Sequence, residues 1–275
     1  MNITCKICPH ACELHEGEVG FCRARENVGG KIRLRNYGYL SALALDPIEK
    51  KPLRHFHPGS HILSIGGYGC NLRCPFCQNH EISMVEQPAH GKFFTPVELI
   101  NLALQERNRG NIGIAYTYNE PLISFEFIRD CMILAREQGL YNVLVTNGYV
   151  NREVLEELLL YTDAMNIDLK SFRPDFYHTI GGDLDIVKEN IAVAANHTHV
   201  EVTTLLIPGE HTLEELKEEA RWIASVDPEI PLHLTRFFPY YHMADRPPTS
   251  LSLIREACHI ASTYLSYVYA GNCRI

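Results

Sequence analysis

The chain of 275 residues is 46% hydrophobic and 21% charged, proportions that are ordinary for a globular protein with a full core. Its formal net charge is −8 and it has no block of lysine and arginine, which argues against binding to nucleic acid or to an anionic membrane. No apolar run approaches the roughly 20 residues that span a bilayer, and the first residues do not form a secretory signal, so we expect a cytoplasmic protein without membrane or nucleic-acid partners.

Residues 1–60 differ in composition from the rest of the chain. They hold four cysteines in the pattern Cys5-x2-Cys8-x3-Cys12-x9-Cys22, together with several glycines and short strand-like stretches, and no helix of useful length. Four cysteines within 18 residues predict a closed metal site, either zinc or a [4Fe–4S] cluster, and the uneven spacing does not decide between them. Because this segment is too polar to bury a core, we expect a small cysteine-rich N-terminal domain with a structural metal.

From residue 61 to residue 275 the pattern alternates between short apolar runs and amphipathic stretches. The predicted strands are 61–66, 112–117, 142–146, 164–168, 199–206, 231–235 and 267–270. The predicted helices are 95–109, 121–138, 151–161, 183–196, 212–225 and 249–264. Thr95 with Glu98, and Thr212 with Glu215, predict capping boxes. Short apolar strands are typical of a parallel sheet buried on both faces, so we expect an α/β fold in which six βα units form a partial or full TIM-like barrel.

The loop after the first of these strands holds Cys70, Cys74 and Cys77 in the spacing C-x3-C-x2-C. Barrels of this kind carry their chemistry on loops at the carboxyl ends of the strands. Three thiolates can hold three irons of a cubane [4Fe–4S] cluster and leave the fourth iron open, whereas an electron-transfer cluster is normally closed by four cysteines. Zinc with His80 as fourth ligand is the alternative. The cysteines outside both groups are Cys131, Cys258 and Cys273.

The loop, with Phe76 as the aromatic residue before its last cysteine, resembles the C-x3-C-x-aromatic-C loop of the radical S-adenosylmethionine (SAM) superfamily. The resemblance implies that SAM binds the open iron through its amino and carboxylate groups. It also implies that the reduced cluster cleaves SAM to methionine and a 5′-deoxyadenosyl radical, which abstracts hydrogen from a substrate. A flavodoxin- or ferredoxin-type protein would then supply the electron. The spacing alone predicts only a cluster with an open iron.

The segment Tyr118-Asn119-Glu120 ends the second predicted strand of the barrel and resembles the segment that binds the SAM amino group in this superfamily. An ammonium needs hydrogen-bond acceptors, which Glu120 and backbone carbonyls supply. The same residues are also typical of a helix N-terminus, with Asn119 as the cap and Pro121 at the first position. Both interpretations can hold together.

Further polar residues end the third to sixth strands and resemble SAM or substrate contacts of the same superfamily. They are Asn147, Asp168, Lys170, Thr203, His233 and Arg236. Asn147 belongs to a Thr-Asn-Gly segment and Asp168 to an Asp-Leu-Lys segment like those of glycyl-radical-enzyme activases, although Val145 replaces the aspartate common there. A turn at Asn147 and a buried Asp168–Lys170 ion pair are the structural alternatives. Thr203 lies in a stretch that resembles the adenine-packing strand, and His233 is equally compatible with a core position.

Several longer stretches narrow the resemblance. They are Cys5-x2-Cys8-Pro-His-x-Cys12, Gly20-Phe-Cys-Arg-Ala-Arg-Glu-Asn27, Asp46-Pro-Ile-Glu-Lys-Lys-Pro-Leu53 and the cysteine loop itself. They resemble the radical SAM proteins of the AmmeMemoRadiSam system, which are similar to pyruvate formate-lyase activating enzyme. That resemblance implies Memo-type and AMMECR-type partner proteins. Many of those proteins continue into a further cysteine pair, whereas Cys273 is unpaired here.

Three functions remain open on this basis. The first is a radical SAM enzyme that acts on an unidentified substrate. The second is an activase that installs a glycyl radical on a partner enzyme, although activases with ferredoxin-like inserts place their extra cysteines after the SAM-cluster loop, and here all four precede it. The third is a non-catalytic, metal-stapled binding module. The pattern favours the first function.

Overall fold

The computed structural model describes residues 2–274. The β-strands are β1 (Ile3–Thr4), β2 (Glu13–Leu14), β3 (Arg25–Val28), β4 (Lys31–Leu34), β5 (Tyr39–Leu40), β6 (Ala42–Pro47), β7 (His61–Gly66), β8 (Lys92–Phe93), β9 (Asn111–Tyr116), β10 (Tyr141–Thr146), β11 (Ala164–Asp168), β12 (His199–Leu206), β13 (Leu232–Arg236) and β14 (Val268–Gly271). The α-helices are α1 (His80–Ser83), α2 (Pro96–Gln105), α3 (Phe125–Glu137), α4 (Arg152–Leu159), α5 (Pro174–Thr179), α6 (Leu184–Ala195), α7 (Leu213–Val226) and α8 (Leu251–Ala261). Within residues 2–274, no helix is both long and apolar enough to cross a membrane.

The central sheet has eight strands in the order β14-β13-β12-β11-β10-β9-β7-β6. All of them run parallel except β6, which pairs antiparallel with β7. Helices follow most of the parallel strands and cover the outer face of the sheet, as crossover connections require. The predicted α/β fold with a curled parallel sheet is confirmed.

Local sequence explains where the helices begin. Both predicted capping boxes are present, because Thr95 and Thr212 accept the backbone N–H groups of Glu98 and Glu215, whose carboxylates bond back to the cap. Each such cap contributes about 1 kcal/mol to helix stability. The predicted helix over 121–138 begins differently, with a 3₁₀ turn at Pro121–Ser124 that precedes α3.

Two features of the fold were not predicted from the sequence. Strand β6 lies in the N-terminal region by sequence but forms the edge of the central sheet. Helix α5 is an extra element between β11 and α6, and Pro174 at its first position starts it. The division of the chain at residue 60 stays a prediction, and the pairing of β6 with β7 crosses it.

The inner face of the sheet is closed at its floor by the segment that follows β6. Ile48 and Leu53 from this segment are fully buried against Ile62, Ala115, Val143 and Ala164 on the strands. Asn166 on β11 donates its side-chain amide to the carbonyl of Pro52 at 2.9 Å. The interior of the barrel is therefore a packed core below and an open space above, at the carboxyl ends of the strands.

The N-terminal region forms small antiparallel hairpins, β1–β2 and β3–β4, and packs on the barrel. Its buried residues Cys22 and Ala24 share a small apolar cluster with Ile123 of the barrel. Arg25, which is 3% exposed, donates to the carbonyl of Ile123 at 2.8 Å and pairs with Glu126 on α3. The core of this region is thus borrowed from the barrel, as expected for a segment too polar to fold on its own.

Candidate active site

A cavity of about 340 Å³ opens at the carboxyl ends of the parallel strands. Most of the residues predicted for cluster and SAM binding line it. They are Cys70, Cys74, Phe76, Cys77, Tyr118, Asn119, Glu120, Asn147, Asp168, Lys170 and Thr203. Residues from five separate strand ends therefore meet around one space, which is the usual arrangement of an active site in a parallel barrel.

The start of the cysteine loop is held by hydrogen bonds to two asparagines. The side chain of Asn119 accepts the N–H of Gly67 at 3.0 Å and donates to the carbonyl of Gly69 at 3.0 Å. Asn147 donates to the side chain of Asn71 at 2.9 Å and lies 3.8 Å from the sulfur of Cys70. These asparagines lie at the ends of β9 and β10, so the parallel sheet itself fixes the position of the loop.

Gly69 allows the N-terminal region to pack directly against this loop. Its φ of +86° suits glycine, and a Cβ atom at this position would overlap the carbonyl oxygen of Cys22. His10 also contacts the loop, through a 2.8 Å hydrogen bond to the carbonyl of Asn71. The backbone of the four-cysteine segment therefore touches the residue that precedes Cys70.

The three thiols of the loop fit an iron–sulfur cluster by their chemistry. Cys74 is buried and Cys70 and Cys77 are half-buried, and all three line the cavity. Burial raises the pKa of each thiol, to about 12 for Cys74. Among residues 2–274, no three histidine, cysteine or acidic side chains converge as ligands of one metal ion would. A cubane cluster instead places each cysteine on a separate iron, and soft thiolates are the ligands that it takes.

Glu120 is the most constrained carboxylate of the cavity. It is 3% exposed, and it accepts the N–H of Leu122 at 2.9 Å, the hydroxyl of Thr146 at 2.7 Å and the N–H of Asn147 at 2.8 Å. Burial outweighs these bonds and raises its pKa to about 7. A carboxylate has about four acceptor positions, so one position on Glu120 is left for a ligand.

Asp168 and Lys170 form an ion pair at the end of β11, with 2.7 Å between the carboxylate oxygen and the ammonium nitrogen. Burial lowers the pKa of Lys170, but Asp168 and the neighbouring Cys74 outweigh it and hold the pKa above its usual value. Thr203 on the next strand accepts the amide of Asn166 at 2.9 Å. The pair presents a nearly neutral polar surface to the cavity, and both functional and structural roles remain compatible with it.

His233 and Arg236 are not among the residues that line the cavity in the described chain. His233 is buried two residues before the cavity-lining Thr235 on the same strand and contacts the carboxylate of Glu201 at 2.6 Å. Arg236 donates to the carbonyl of Thr249 at 2.7 Å and stacks on Phe238. The structure therefore does not bring these two predicted residues to the site, and a SAM contact by either stays a prediction without geometric support.

Glu201 anchors the floor of the barrel. It is fully buried and accepts the backbone N–H groups of Arg54 and His55 at 3.0 and 2.8 Å, besides contacts with His199 and His233. Burial opposes ionisation, but these four partners lower the pKa of Glu201 to about 2. The carboxylate thus fastens the floor segment to β12 and β13.

Lys50 and Lys51 also line the cavity, and sequence reasoning did not assign them to the site. Both contact Asp46, as described below, and Lys51 lies over the ring of Tyr118 at 4.4 Å. Their only signal in the sequence was the Asp-Pro-Ile-Glu-Lys-Lys-Pro-Leu stretch, which was noted for its resemblance alone.

The four N-terminal cysteines lie around the β1–β2 hairpin. Cys5, Cys8 and Cys22 are buried and Cys12 is half-buried. The N–H of Cys5 bonds to the carbonyl of Cys12 at 2.9 Å, and the sulfur of Cys12 accepts the N–H of Phe21 at 3.4 Å. Burial raises the pKa of Cys8 to about 12. The four thiols therefore lie near one another in one small fold, although among residues 2–274 no three of them converge as ligands of a single metal ion would.

Comparison with known proteins adds four similarities: a family model, two relatives and one solved structure. The family model described as the radical SAM superfamily matches residues 64–223. An uncharacterized protein of Methanocaldococcus jannaschii is 40% identical over 98% of this chain and 81% of its own length, and a pyruvate formate-lyase-activating enzyme of Clostridium pasteurianum is 32% identical over 58% of this chain and 66% of its own. A crystal structure of a domain of pyruvate-formate lyase-activating enzyme from Bacteroides vulgatus shares the fold, with a TM-score of 0.51 and 23% identity over 58% of this chain and 99% of that domain.

Proposed function

The chain belongs to the radical SAM superfamily, and from that premise we propose that it binds a [4Fe–4S] cluster through Cys70, Cys74 and Cys77 and uses SAM to abstract hydrogen from a substrate. The observation that carries this proposal is the single cavity that these thiols share with Glu120 and Asp168 at the carboxyl ends of the strands. Membership of an enzyme family argues against the non-catalytic binding module. The substrate itself remains unidentified.

Cys70, Cys74 and Cys77 would hold the cluster, which with SAM bound would supply the electron that splits SAM into methionine and a 5′-deoxyadenosyl radical. The residues of the chain bind SAM and orient it relative to the cysteine loop. Glu120 offers its free acceptor position to the SAM amino group, and its bonds to Thr146 and Asn147, one on each oxygen, hold the carboxylate in place. Asn147 also contacts Cys70 and so fixes the distance between the SAM pocket and the loop. Phe76, which is 4% exposed, shields the loop from water.

Three pocket residues complete the proposed SAM site. Tyr118 and Asn119 line the cavity beside Glu120 after β9, and the side chain of Asn119 holds the cysteine loop. Thr203 lines the cavity on β12, two strands beyond β10, where it would face the adenine end of an extended SAM molecule. The Asp168–Lys170 pair between them offers both a donor and an acceptor, which suits ribose hydroxyls or the substrate.

We further propose that Cys5, Cys8, Cys12 and Cys22 hold a second metal centre, either zinc or [4Fe–4S]. Four thiols in a segment with almost no core of its own support a metal that folds the segment. Iron, sulfide and zinc analysis after anaerobic preparation separates the two. About eight irons per chain would indicate two cubane clusters, and about four irons with one zinc would indicate a zinc site.

The cellular setting follows from the same chemistry. Clustered free thiols persist in reducing compartments, so we place the enzyme in the cytoplasm. A flavodoxin- or ferredoxin-type protein is the proposed electron donor. Memo-type and AMMECR-type proteins are proposed partners on the resemblance of the N-terminal motifs alone.

The experiment that tests the proposal is SAM cleavage by the anaerobically reconstituted and reduced protein. We expect 5′-deoxyadenosine from the wild type and none from Cys74→Ala. The matched control is Cys258→Ala, which removes a half-buried thiol on α8 outside the cavity and should retain cleavage. Cleavage that survives in Cys74→Ala would overturn the assignment.

Activation of a glycyl radical enzyme is a second candidate, because a pyruvate formate-lyase-activating enzyme is among the similar proteins. The reduced holoprotein is incubated with SAM and a glycyl radical enzyme such as pyruvate formate-lyase. A glycine-centred doublet in the electron paramagnetic resonance spectrum supports activation. Cleavage of SAM without this doublet on that enzyme favours the first candidate.

A further inference from the structure

The segment of residues 46–53 brings two lysines to the cavity from edge strand β6 rather than from the carboxyl end of a parallel strand. It leaves edge strand β6, makes a 3₁₀ turn at Ile48–Lys50 and crosses the inner face of the sheet. Buried Ile48 and Leu53 anchor the segment on either side of the lysines. The backbone of Lys50 and Lys51 is therefore fixed against the wall of the cavity.

One carboxylate serves both lysines. Asp46 lies 2.8 Å from the ammonium of Lys50 through one oxygen and 2.8 Å from that of Lys51 through the other, and it also accepts the hydroxyl of Tyr118 at 2.6 Å. Two ammonium groups share one carboxylate, so this wall carries one uncompensated positive charge. Lys51 is 3% exposed and Lys50 is 63% exposed as side chains. A positive charge on a partly buried surface favours binding of a negatively charged ligand.

Neither of the other carboxylates that line the cavity in the described residues forms an ion pair with Lys50 or Lys51. Asp168 is paired with Lys170 at 2.7 Å. Glu120 is engaged by three protein donors. The cavity therefore has a carboxylate side, suited to the ammonium and sulfonium of SAM, and a lysine side, suited to an anion.

We propose that Lys50 and Lys51 bind a carboxylate or phosphate group of the substrate, so that the enzyme acts on an anionic molecule. Lys51, fixed by Asp46 and the ring of Tyr118, sets the position of the anion. Lys50, with a flexible and mostly exposed stem, closes on it. This inference rests on the proposed function for the nature of the cavity and deepens it by naming the substrate class. The carboxylate of SAM is the other possible source of the same chemistry, and the experiment separates the two.

The test uses the reconstituted full chain and two probes, inorganic phosphate and SAM, in anaerobic equilibrium dialysis. Phosphate binding is measured with saturating SAM, which occupies the open iron, and again without SAM. We expect the double variant Lys50→Met/Lys51→Met to weaken phosphate binding at least about ten-fold, as the loss of charge-assisted bonds predicts. We expect a smaller change in SAM affinity. The arginine variants of both positions should restore phosphate binding.

Lys31→Met is the matched control, because Lys31 is exposed on β4 and does not line the cavity. Equal phosphate affinity in the wild type and the double variant, or no saturable binding to the wild type, would overturn the proposal. A parallel loss of SAM affinity would assign the wall to the SAM carboxylate and would also overturn it. Lys50→Met alone, at an exposed side chain, provides the measurement if the double variant is unfolded by circular dichroism. Dialysis needs no turnover, so absence of SAM cleavage would overturn only the proposed function.

Discussion

Replacing Glu120 by glutamine tests the proposed SAM site while keeping the shape of the side chain. One carboxylate oxygen accepts the N–H of Leu122 and the hydroxyl of Thr146, and the amide oxygen of glutamine can keep both bonds. The other oxygen accepts the N–H of Asn147 and has the free acceptor position. Glutamine puts an NH₂ group there, so a donor replaces the acceptor that would meet the SAM amino group.

The expected loss follows from the bond removed. A hydrogen bond to a charged group contributes about 1.5–3 kcal/mol, which corresponds to about a 10- to 150-fold rise in the Kd for SAM. Because burial raises the pKa of Glu120 to about 7, about nine-tenths of the carboxylate is ionised near pH 8 and about one-tenth near pH 6. The ratio of variant to wild-type Kd should therefore narrow by about ten-fold from pH 8 to pH 6. The titration of SAM itself affects both proteins and cancels in the ratio.

The assay is equilibrium binding of SAM to oxidised, anaerobically reconstituted protein at the two pH values. Glu219→Gln is the matched control, because Glu219 is also a fully buried carboxyl but lies on α7, bonded to Thr204 and outside the cavity lining. It should bind SAM like the wild type. An unchanged Kd in Glu120→Gln, or a ratio that does not depend on pH, would refute the role given to this carboxylate.

The remaining predictions concern stability and the loop. Gly69→Ala should lower the iron content of the loop and the melting temperature, because the new Cβ overlaps the carbonyl oxygen of Cys22, whereas Gly59→Ala, with a similar φ of +81° and open space around it, should show only the backbone cost. Iron analysis and thermal melting check this pair, and equal behaviour would contradict it. Glu201→Gln should lose about 3 kcal/mol of stability at neutral pH, because the folded pKa is about 2 and the unfolded value 4.5. That contribution is present above about pH 4.5 and disappears as the pH falls toward 2. The free energies of unfolding of the variant and the wild type, measured with urea, should therefore converge in acid. A difference that stays constant with pH would contradict the role of Glu201 as an anchor. For Glu219 the sign is opposite, because burial raises its pKa from 4.5 to about 8. The free energy of unfolding of the wild type should fall by up to about 5 kcal/mol as the pH rises from 4.5 to 8, and that of Glu219→Gln should stay constant over this range. Parallel pH profiles of the two proteins in urea unfolding would rule this out.

The strand positions could be predicted well because the strands are short apolar runs between polar loops. Three of them, at 61–66, 164–168 and 199–206, have the predicted bounds, and the other parallel strands differ by one residue at one or both ends. Glu120, Asn147 and Asp168 were predicted from the resemblance of their segments to the radical SAM superfamily. The rule that parallel strands end at the same edge of a sheet supported that prediction. That rule uses only local sequence, so it works without knowing which strands are neighbours.

Two of the predicted residues lie outside the cavity lining for a physical reason. His233 and Arg236 are three residues apart on one strand, so their side chains point to opposite faces and could not both enter the cavity. His233 does face the inside of the barrel, but the segment that follows β6 fills the barrel at that level and separates His233 from the cavity. The strand pattern alone does not predict where this segment lies. Lys50 and Lys51 were missed for a related reason. They reach the cavity through a chain crossing inside the barrel, and no local spacing predicts such a crossing.

The carbonyl of Cys22 packs closely on Gly69, so the N-terminal four-cysteine segment and the Cys70–Cys77 loop are in direct contact. A ligand that orders residues 5–22 also reduces the entropy lost when the Cys70–Cys77 loop is ordered. Thermodynamic reciprocity requires that a ligand of this loop favours ordering of residues 5–22 by the same coupling free energy. For the second metal centre proposed at residues 5–22, we therefore expect its maturation to be cooperative with that of the loop cluster. A chain starved of metal at its amino-terminal cysteines should be a poorer acceptor for iron and sulfide in the barrel.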